Sequence, residues 1–469
     1  MGQGIGRIEN IVVFVDGALP GDYVKAEIYE KKKKFYKAGV LEFIEKSPNR
    51  TTPECPYSKA CGGCAYMELT YDAQLEFKEK HLKDKLQRIA GINDFECERI
   101  VPMETPYYYR NKTEFAISKD GKVGFNRMGT NQIIDISNCL ISSPVANVLL
   151  PVIGIQIKTT SLGIRKVTIR TSFSTGETMV ILHTNVTDID KLALFIKNMD
   201  DAVNRMDVAD NPMDDVVNRM GDADNLMDDA VDRMDAAGNP VYDTVEPMAA
   251  SQSVICPSLE SVYVYDETKK KNPYTLIAGK RTINDWMMNL KFEISPPSFY
   301  QVNPLQAVNL FEKVKEYVGT ANEASILDLY CGVGSIGLTL ADSAKEIIGV
   351  EVVKEAILDA NRNAVINGIV NARYKTGKAE ELMDELRISD DSVILLDPPR
   401  AGCKQEVLET IGKSKAKKIV YVSCDQATFA RDVKILKDFG FDLEKIVAVD
   451  MFPQTTHVET VALISKVEK

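Results

Sequence analysis

The chain has 469 residues, 45% of them hydrophobic, and a formal net charge of -11. That length exceeds one ordinary core, so several domains are expected. It contains no apolar run of about 18 residues and no charged-then-apolar leader at Met1, so a soluble, cytoplasmic protein is expected, with no membrane partner. Nine cysteines, an odd and unevenly spaced set, point to reduced thiols serving metal binding or catalysis rather than to disulfides.

Residues 1–52 alternate apolar and polar side chains, with β-branched residues in the runs and Gly17, Pro20 and Gly21 as punctuation. This predicts a small β-barrel. Lys31 to Lys34 stand beside Phe35 and Tyr36, a mixture of cations and aromatics that suits single-stranded nucleic acid and equally suits a solvated hairpin tip.

Residues 53–290 read as a central α+β region. It opens with Cys55, Cys61 and Cys64, continues into a helical stretch within 67–98 that can pack on the following domain, and includes Cys139 further on. An acidic insert over 199–245 interrupts it. Three tandem 14-residue repeats at 199–240 carry twelve aspartates and three arginines, a net of -9, so the rest of the chain is only about -2 by subtraction from -11. The overall acidity therefore does not exclude a nucleic-acid partner. Met199, Val203 and Met206 can share a helical face, while Asn-Pro pairs and Gly221 interrupt any long helix, and the aspartates lack calcium-loop spacing.

Residues 291–469 change to regular strand–helix alternation, the signature of a mainly parallel sheet covered on both faces. Its first strand ends in Asp328-Leu-Tyr-Cys-Gly-Val-Gly-Ser-Ile-Gly337, a glycine-rich turn that lets backbone approach a ligand at a helix start. Glu351 ends the next strand, 23 residues after Asp328, where an acid can hold ribose hydroxyls. A nucleoside cofactor follows, with a dinucleotide still conceivable at this point. Asp397-Pro398-Pro399 ends a further strand, and two prolines cannot extend a ladder, so they fix a rigid loop. This motif is similar to that of methyltransferases acting on planar nitrogen heterocycles. Arg400 stands where amino-methylating enzymes usually place an aromatic residue.

Cys424 ends the next strand in Tyr421-Val-Ser-Cys424. Carbon 5 of uracil is a poor nucleophile, and addition of a thiolate to carbon 6 activates it as an enolate. A general base must later remove the carbon-5 proton, and Glu459 begins the last strand at what should be the same sheet edge.

DLYCGVGSIGL, LLDPPRAGC, YVSCDQATFARDV and FPQTTHVETVALI occur in order, and with them the chain closely resembles the RNA uracil-5 methyltransferase family. The resemblance covers nearly the whole chain except the acidic insert. It implies an α/β fold with a Rossmann-like methyltransferase domain, and it makes Gln301, Tyr330, Glu351 and Asp397 the S-adenosylmethionine-binding residues. Cys424 is then the nucleophile and Glu459 the proton acceptor. It makes the N-terminal stretch a TRAM domain, an OB-like RNA-binding barrel, here shortened at its start. It implies that Cys55, Cys61, Cys64 and Cys139 hold a four-iron, four-sulfur cluster; by spacing alone, tetrahedral zinc stays an alternative. TRAM and the four cysteines together favour the 23S ribosomal RNA branch, with a monomeric enzyme expected. Transfer RNA methylation, or an inactive RNA-binding or redox-sensing relative, are the rival readings.

Overall fold

In a computed structural model of the chain, residues 3–160, 162–186, 189–206, 257–382, 386 and 388–467 are described. Most of the acidic insert, including its second and third repeats, lies outside them. The first repeat begins in the helix Ile189–Val203, where Met199 and Val203 are fully buried, as their helical spacing predicts. Two compact units are present. One comprises the described residues within 1–107, 125–134 and 298–469, the other those within 108–124 and 135–297.

The first unit begins with strands β1 (Gly4–Ile8), β2 (Ile11–Asp16), β3 (Tyr23–Lys31) and β4 (Phe35–Glu45), which form a sheet in the order β1-β2-β4-β3. Val13, Val15, Ala18 and Ala38 supply its small core. The lysine run forms the tip of the β3–β4 hairpin, where Lys32 and Lys37 both pair with Glu30. After a helix, Tyr71–Lys85, comes the short strand β5 (Glu96–Cys97).

A second sheet runs in the order β12-β11-β10-β9-β6-β7-β8, and most of its residues belong to the second unit. Its strands are β6 (Lys112–Ile117), β7 (Val123–Asn126), β8 (Ile133–Asp135), β9 (Lys166–Thr171), β10 (Glu177–His183), β11 (Ser258–Tyr265) and β12 (Tyr274–Gly279). A separate hairpin follows, β13 (Ile283–Met287) with β14 (Leu290–Ile294).

The remaining strands complete the first unit: β15 (Ala321–Leu329), β16 (Ala344–Glu351), β17 (Ala372–Thr376), β18 (Val393–Leu396), β19 (Lys418–Ser423), β20 (Phe441–Val449) and β21 (Glu459–Lys466). With β5 they form an eight-stranded sheet in the order β17-β16-β15-β18-β19-β21-β20-β5. Strands β15 to β19 pair in parallel, whereas β21 runs antiparallel between β19 and β20. Parallel strands covered on both faces should read as continuous apolar runs, and β18, Val-Ile-Leu-Leu, is buried at every position. Leu327, Leu329, Val350, Ile394, Leu396, Ile419 and Ala462 share one core. The expected α/β Rossmann-like domain is present, with helices following β15 to β19 and none between β20 and β21.

Candidate active site

The strand order reverses at β15, which lies between β16 and β18. Open α/β sheets bind ligands at the carboxyl ends of strands beside such a switch. Tyr330 and the glycine-rich turn follow β15, Glu351 closes β16, Asp397 follows β18 and Cys424 follows β19. Because β21 is antiparallel to β19, its first residue returns to the same edge. The ladder pairs Ser423 with Thr460, so Cys424 and Glu459 are the next residues at its end. Their meeting follows from register alone.

The turn after β15 is shaped by close approach. Gly337 N–H donates to Asp328 Oδ2 at 3.2 Å, and a Cβ at Gly337 would lie 2.6 Å from that oxygen. Tyr330 itself takes a left-handed φ of 69°. At Gly334, with φ of 79°, a Cβ would meet the Tyr374 hydroxyl at 2.5 Å. The Glu351 carboxylate braces the turn, accepting from Gly332 N–H at 3.3 Å and from Val353 N–H at 2.9 Å. Asp328 Oδ1 and the Tyr374 hydroxyl are buried with no hydrogen-bond partner among the described residues. An orphaned buried oxygen is costly unless a ligand satisfies it, so this corner fits a polar guest. Gln301 is buried in the same unit, two residues before Asn303, which caps the helix Pro304–Val318.

Acidic groups crowd this edge. Asp328 is pushed up to about 8 by burial and then by Asp397, with the Gly337 N–H opposing and Glu351 adding to the rise. Burial raises Asp397 to about 7. Glu459 is raised to about 8 by burial and Asp397, against the pull of Arg400. The Cys424 thiol rises to about 12, first through burial, then through Glu459 and Asp397, with Arg400 opposing. Glu459, Asp397 and Arg400 therefore all act on Cys424, and Asp397 and Arg400 also act on Glu459. Asp425, directly after the thiol, caps the helix Gln426–Asp438 by accepting from Ala427 and Thr428 N–H at 2.9 and 3.0 Å, which fixes where the β19 strand ends.

The family model described as tRNA (Uracil-5-)-methyltransferase matches residues 275–467, and a TRAM domain matches 1–41. A relative described as an uncharacterized RNA methyltransferase from Caldanaerobacter subterraneus is 35% identical over 99% of this chain and 95% of its own length. One from Clostridium acetobutylicum is 34% identical over 100% and 95%. The chain belongs to the RNA uracil-5 methyltransferase family. Among solved structures, the family's fold is shared with the Pyrococcus abyssi tRNA (uracil-54, C5)-methyltransferase, solved in complex with S-adenosyl-L-homocysteine. The match has a TM-score of 0.70 at 28% identity and covers 99% of this chain and 97% of that one.

The four cysteines singled out in the sequence, Cys55, Cys61, Cys64 and Cys139, are all among the described residues. Among the described residues, no group of three or more His, Cys, Asp or Glu side chains is arranged to hold a metal. Cys55, Cys61 and Cys64 are half-buried within one loop. Cys55 and Cys64 both act on the Tyr107 phenol, which burial, Glu54 and these two thiols raise to about 12. Cys139 belongs to the other compact unit, where Asn147 Oδ1 accepts its N–H at 2.8 Å.

Proposed function

We propose that this chain transfers a methyl group from S-adenosylmethionine to carbon 5 of a uridine in RNA. The observation that carries the reading is the shared sheet edge, with Cys424 and Glu459 opposed at the end of the β19–β21 ladder beside Asp397. Tyr330, Glu351 and Asp397, with Gln301, are the proposed holders of the methyl donor, which supplies a sulfonium-bound methyl group. The Cys424 thiolate adds to carbon 6, and the electron pair moves to carbon 5, which takes the methyl. Glu459 then removes the carbon-5 proton, the carbon 6–sulfur bond breaks, and Cys424 leaves as thiolate. Arg400 favours the ionised forms of both groups. The base must leave its stack to reach Cys424, so an extruded or loop uridine is the substrate form.

The proposed RNA is 23S ribosomal RNA, supported by the TRAM domain and the cysteine loop. Transfer RNA is the second reading, favoured by the archaeal structure. Labelled S-adenosylmethionine is incubated with each unmodified RNA, which is then digested to nucleosides. The expected product is 5-methyluridine in ribosomal RNA; label in transfer RNA alone reverses the substrate order, and label in neither refutes the activity and favours an RNA-binding relative. Cys424→Ala should abolish turnover. We further propose that the enzyme works as a cytoplasmic monomer; among the described residues no helix is long and apolar enough to cross a membrane. An iron–sulfur cluster on Cys55, Cys61, Cys64 and Cys139 is supported only by thiolate chemistry and spacing, and no step above runs through it. Visible absorbance and iron content after anaerobic purification test it; a colourless protein containing zinc overturns it.

A further inference from the structure

The loop from β20 to β21 delivers Glu459, and it is held by an unusual concentration of buried polar groups. Lys78, fully buried on the helix Tyr71–Lys85, donates to Asp450 Oδ1 at 2.5 Å and to the Phe452 carbonyl at 3.1 Å. Tyr71 OH donates to Asp450 Oδ2 at 2.9 Å, and the same hydroxyl accepts from Met103 N–H at 2.7 Å. One turn along, the Gln74 and Gln454 amides bond reciprocally. Gln74 Nε2 donates to Gln454 Oε1 at 3.0 Å, and Gln454 N–H donates to Gln74 Oε1 at 2.9 Å. The Gln454 carbonyl accepts from Tyr66 N–H at 2.9 Å. Gln454 has a φ of 68°, a left-handed conformation that a non-glycine residue keeps only when its surroundings impose it.

A third segment grips the same loop. Asn303 Nδ2 donates to the Met451 carbonyl at 3.1 Å, and Gln306 Nε2 donates to the Asp450 carbonyl at 3.2 Å. Every one of Gln74, Lys78, Asn303, Gln306, Asp450 and Gln454 is buried. A buried ion pair is a poor source of stability compared with apolar side chains of similar volume, because desolvation offsets its attraction. What it does supply is geometry, since a satisfied polar network has one arrangement. Here that arrangement sets where the chain enters β21, and so where Glu459 stands opposite Val449 and beside Cys424.

We propose that the Gln74–Gln454 and Lys78–Asp450 pairs are positioning residues that hold Glu459 in place to remove the carbon-5 proton. This rests on the reading of Glu459 as the base. A displaced base slows only the step after methyl transfer, so the covalent methylated adduct between Cys424 and RNA should accumulate. A merely structural role would lower all steps together and leave no adduct.

Two full-length variants test this, Gln74→Met and the neutral pair Lys78→Gln with Asp450→Asn, beside Glu459→Gln as control. Each is checked for native near-ultraviolet circular dichroism and assayed with the RNA that the wild type methylates. The expected result is a loss of turnover on the order of 10- to 100-fold, the cost of a base displaced by about 1 Å. S-adenosylmethionine affinity should stay within about threefold, and an adduct should appear on a denaturing gel. If Glu459→Gln yields adduct and both variants do not, the positioning role is overturned while the base survives. If Glu459→Gln yields none, both fall together. Wild-type turnover in a folded variant, or failure of both variants to fold, also overturns the proposal, the latter making the clamp a folding element.

Discussion

Replacing Glu459 by glutamine preserves shape and removes one charge from beside Cys424, so its effect on that thiol can be worked out before any RNA is added. Glu459 is the largest cause after burial of the rise in the Cys424 thiol from 9.0 to about 12. At about pH 9 a thiol of that pKa is ionised on the order of one part in a thousand, against roughly one half for an unperturbed one. Each unit recovered raises the thiolate fraction tenfold, but intrinsic nucleophilicity falls with basicity, leaving a net gain of roughly threefold in alkylation rate per unit. Glu459 itself, raised to about 8, is ionised in the wild type at that pH, so the comparison removes a real charge. Iodoacetamide labelling followed by peptide mass analysis should show Cys424 of Glu459→Gln reacting about threefold to tenfold faster than wild type, with half-buried Cys97 as internal reference. An unchanged or slower rate at Cys424 would refute the electrostatic contact on which the paired roles depend.

The same substitution should alter stability with a defined sign. The folded pKa of Glu459 lies above its ordinary 4.5, at about 8, so its contribution is fully present below the lower value and is lost as pH rises through the upper one. Glu459→Gln should therefore melt higher than wild type near pH 8, by roughly 3 °C or more, and the gain should shrink toward pH 4; equal melting at both would refute it. Gly337→Ala places a Cβ 2.6 Å from Asp328 Oδ2 and 3.0 Å from Ile347 Cγ2, so the carboxylate must move. Its S-adenosylmethionine affinity, measured by calorimetry, should fall by about tenfold or more, near the roughly 1.4 kcal/mol of one lost hydrogen bond; unchanged affinity would remove Asp328 from the binding corner.

The sheet edge that carries Cys424 and Glu459 was legible in the sequence because its signals are local. Glycines at 332, 334 and 337, the Asp397-Pro398-Pro399 stop and the strand-ending Cys424 each mark a turn at a strand's carboxyl end, and a parallel sheet puts such ends together. The Asp328 carboxylate was visible only as the first letter of a motif; its unpartnered Oδ1 and that of the Tyr374 hydroxyl emerge from packing. Arg400 was read as a missing aromatic, whereas the structure makes it the cation that opposes the rise in Cys424 and Glu459. The Lys78–Asp450 pair joins residues 372 positions apart, and no local pattern predicts it. The cationic tip at 31–34 is weaker than its sequence suggests, with Lys32 already paired to Glu30.

The raised carboxylates have a consequence for the proposed methyl donor. Asp328, Asp397 and Glu459 hold protons near neutrality because burial disfavours their charges, with Asp397 adding to the rise of the other two. A sulfonium brought to this edge supplies a positive charge that favours the ionised forms, so binding should release protons. By linkage, affinity should then rise with pH. The release should be on the order of half to one proton at about pH 7, giving up to about a tenfold gain in affinity per pH unit. S-adenosylhomocysteine has the same adenosine and amino-acid ends but an uncharged thioether, so it should release less. Product is then held less tightly than donor as pH rises, which favours turnover, and the protons lost on donor binding would leave Glu459 ionised for its proposed role as the carbon-5 base. Calorimetric titrations in two buffers of different ionisation enthalpy measure the release directly. Equal release for donor and product would show that the acidic edge does not sense the sulfonium charge, and Glu459 would then need another route to its ionised form.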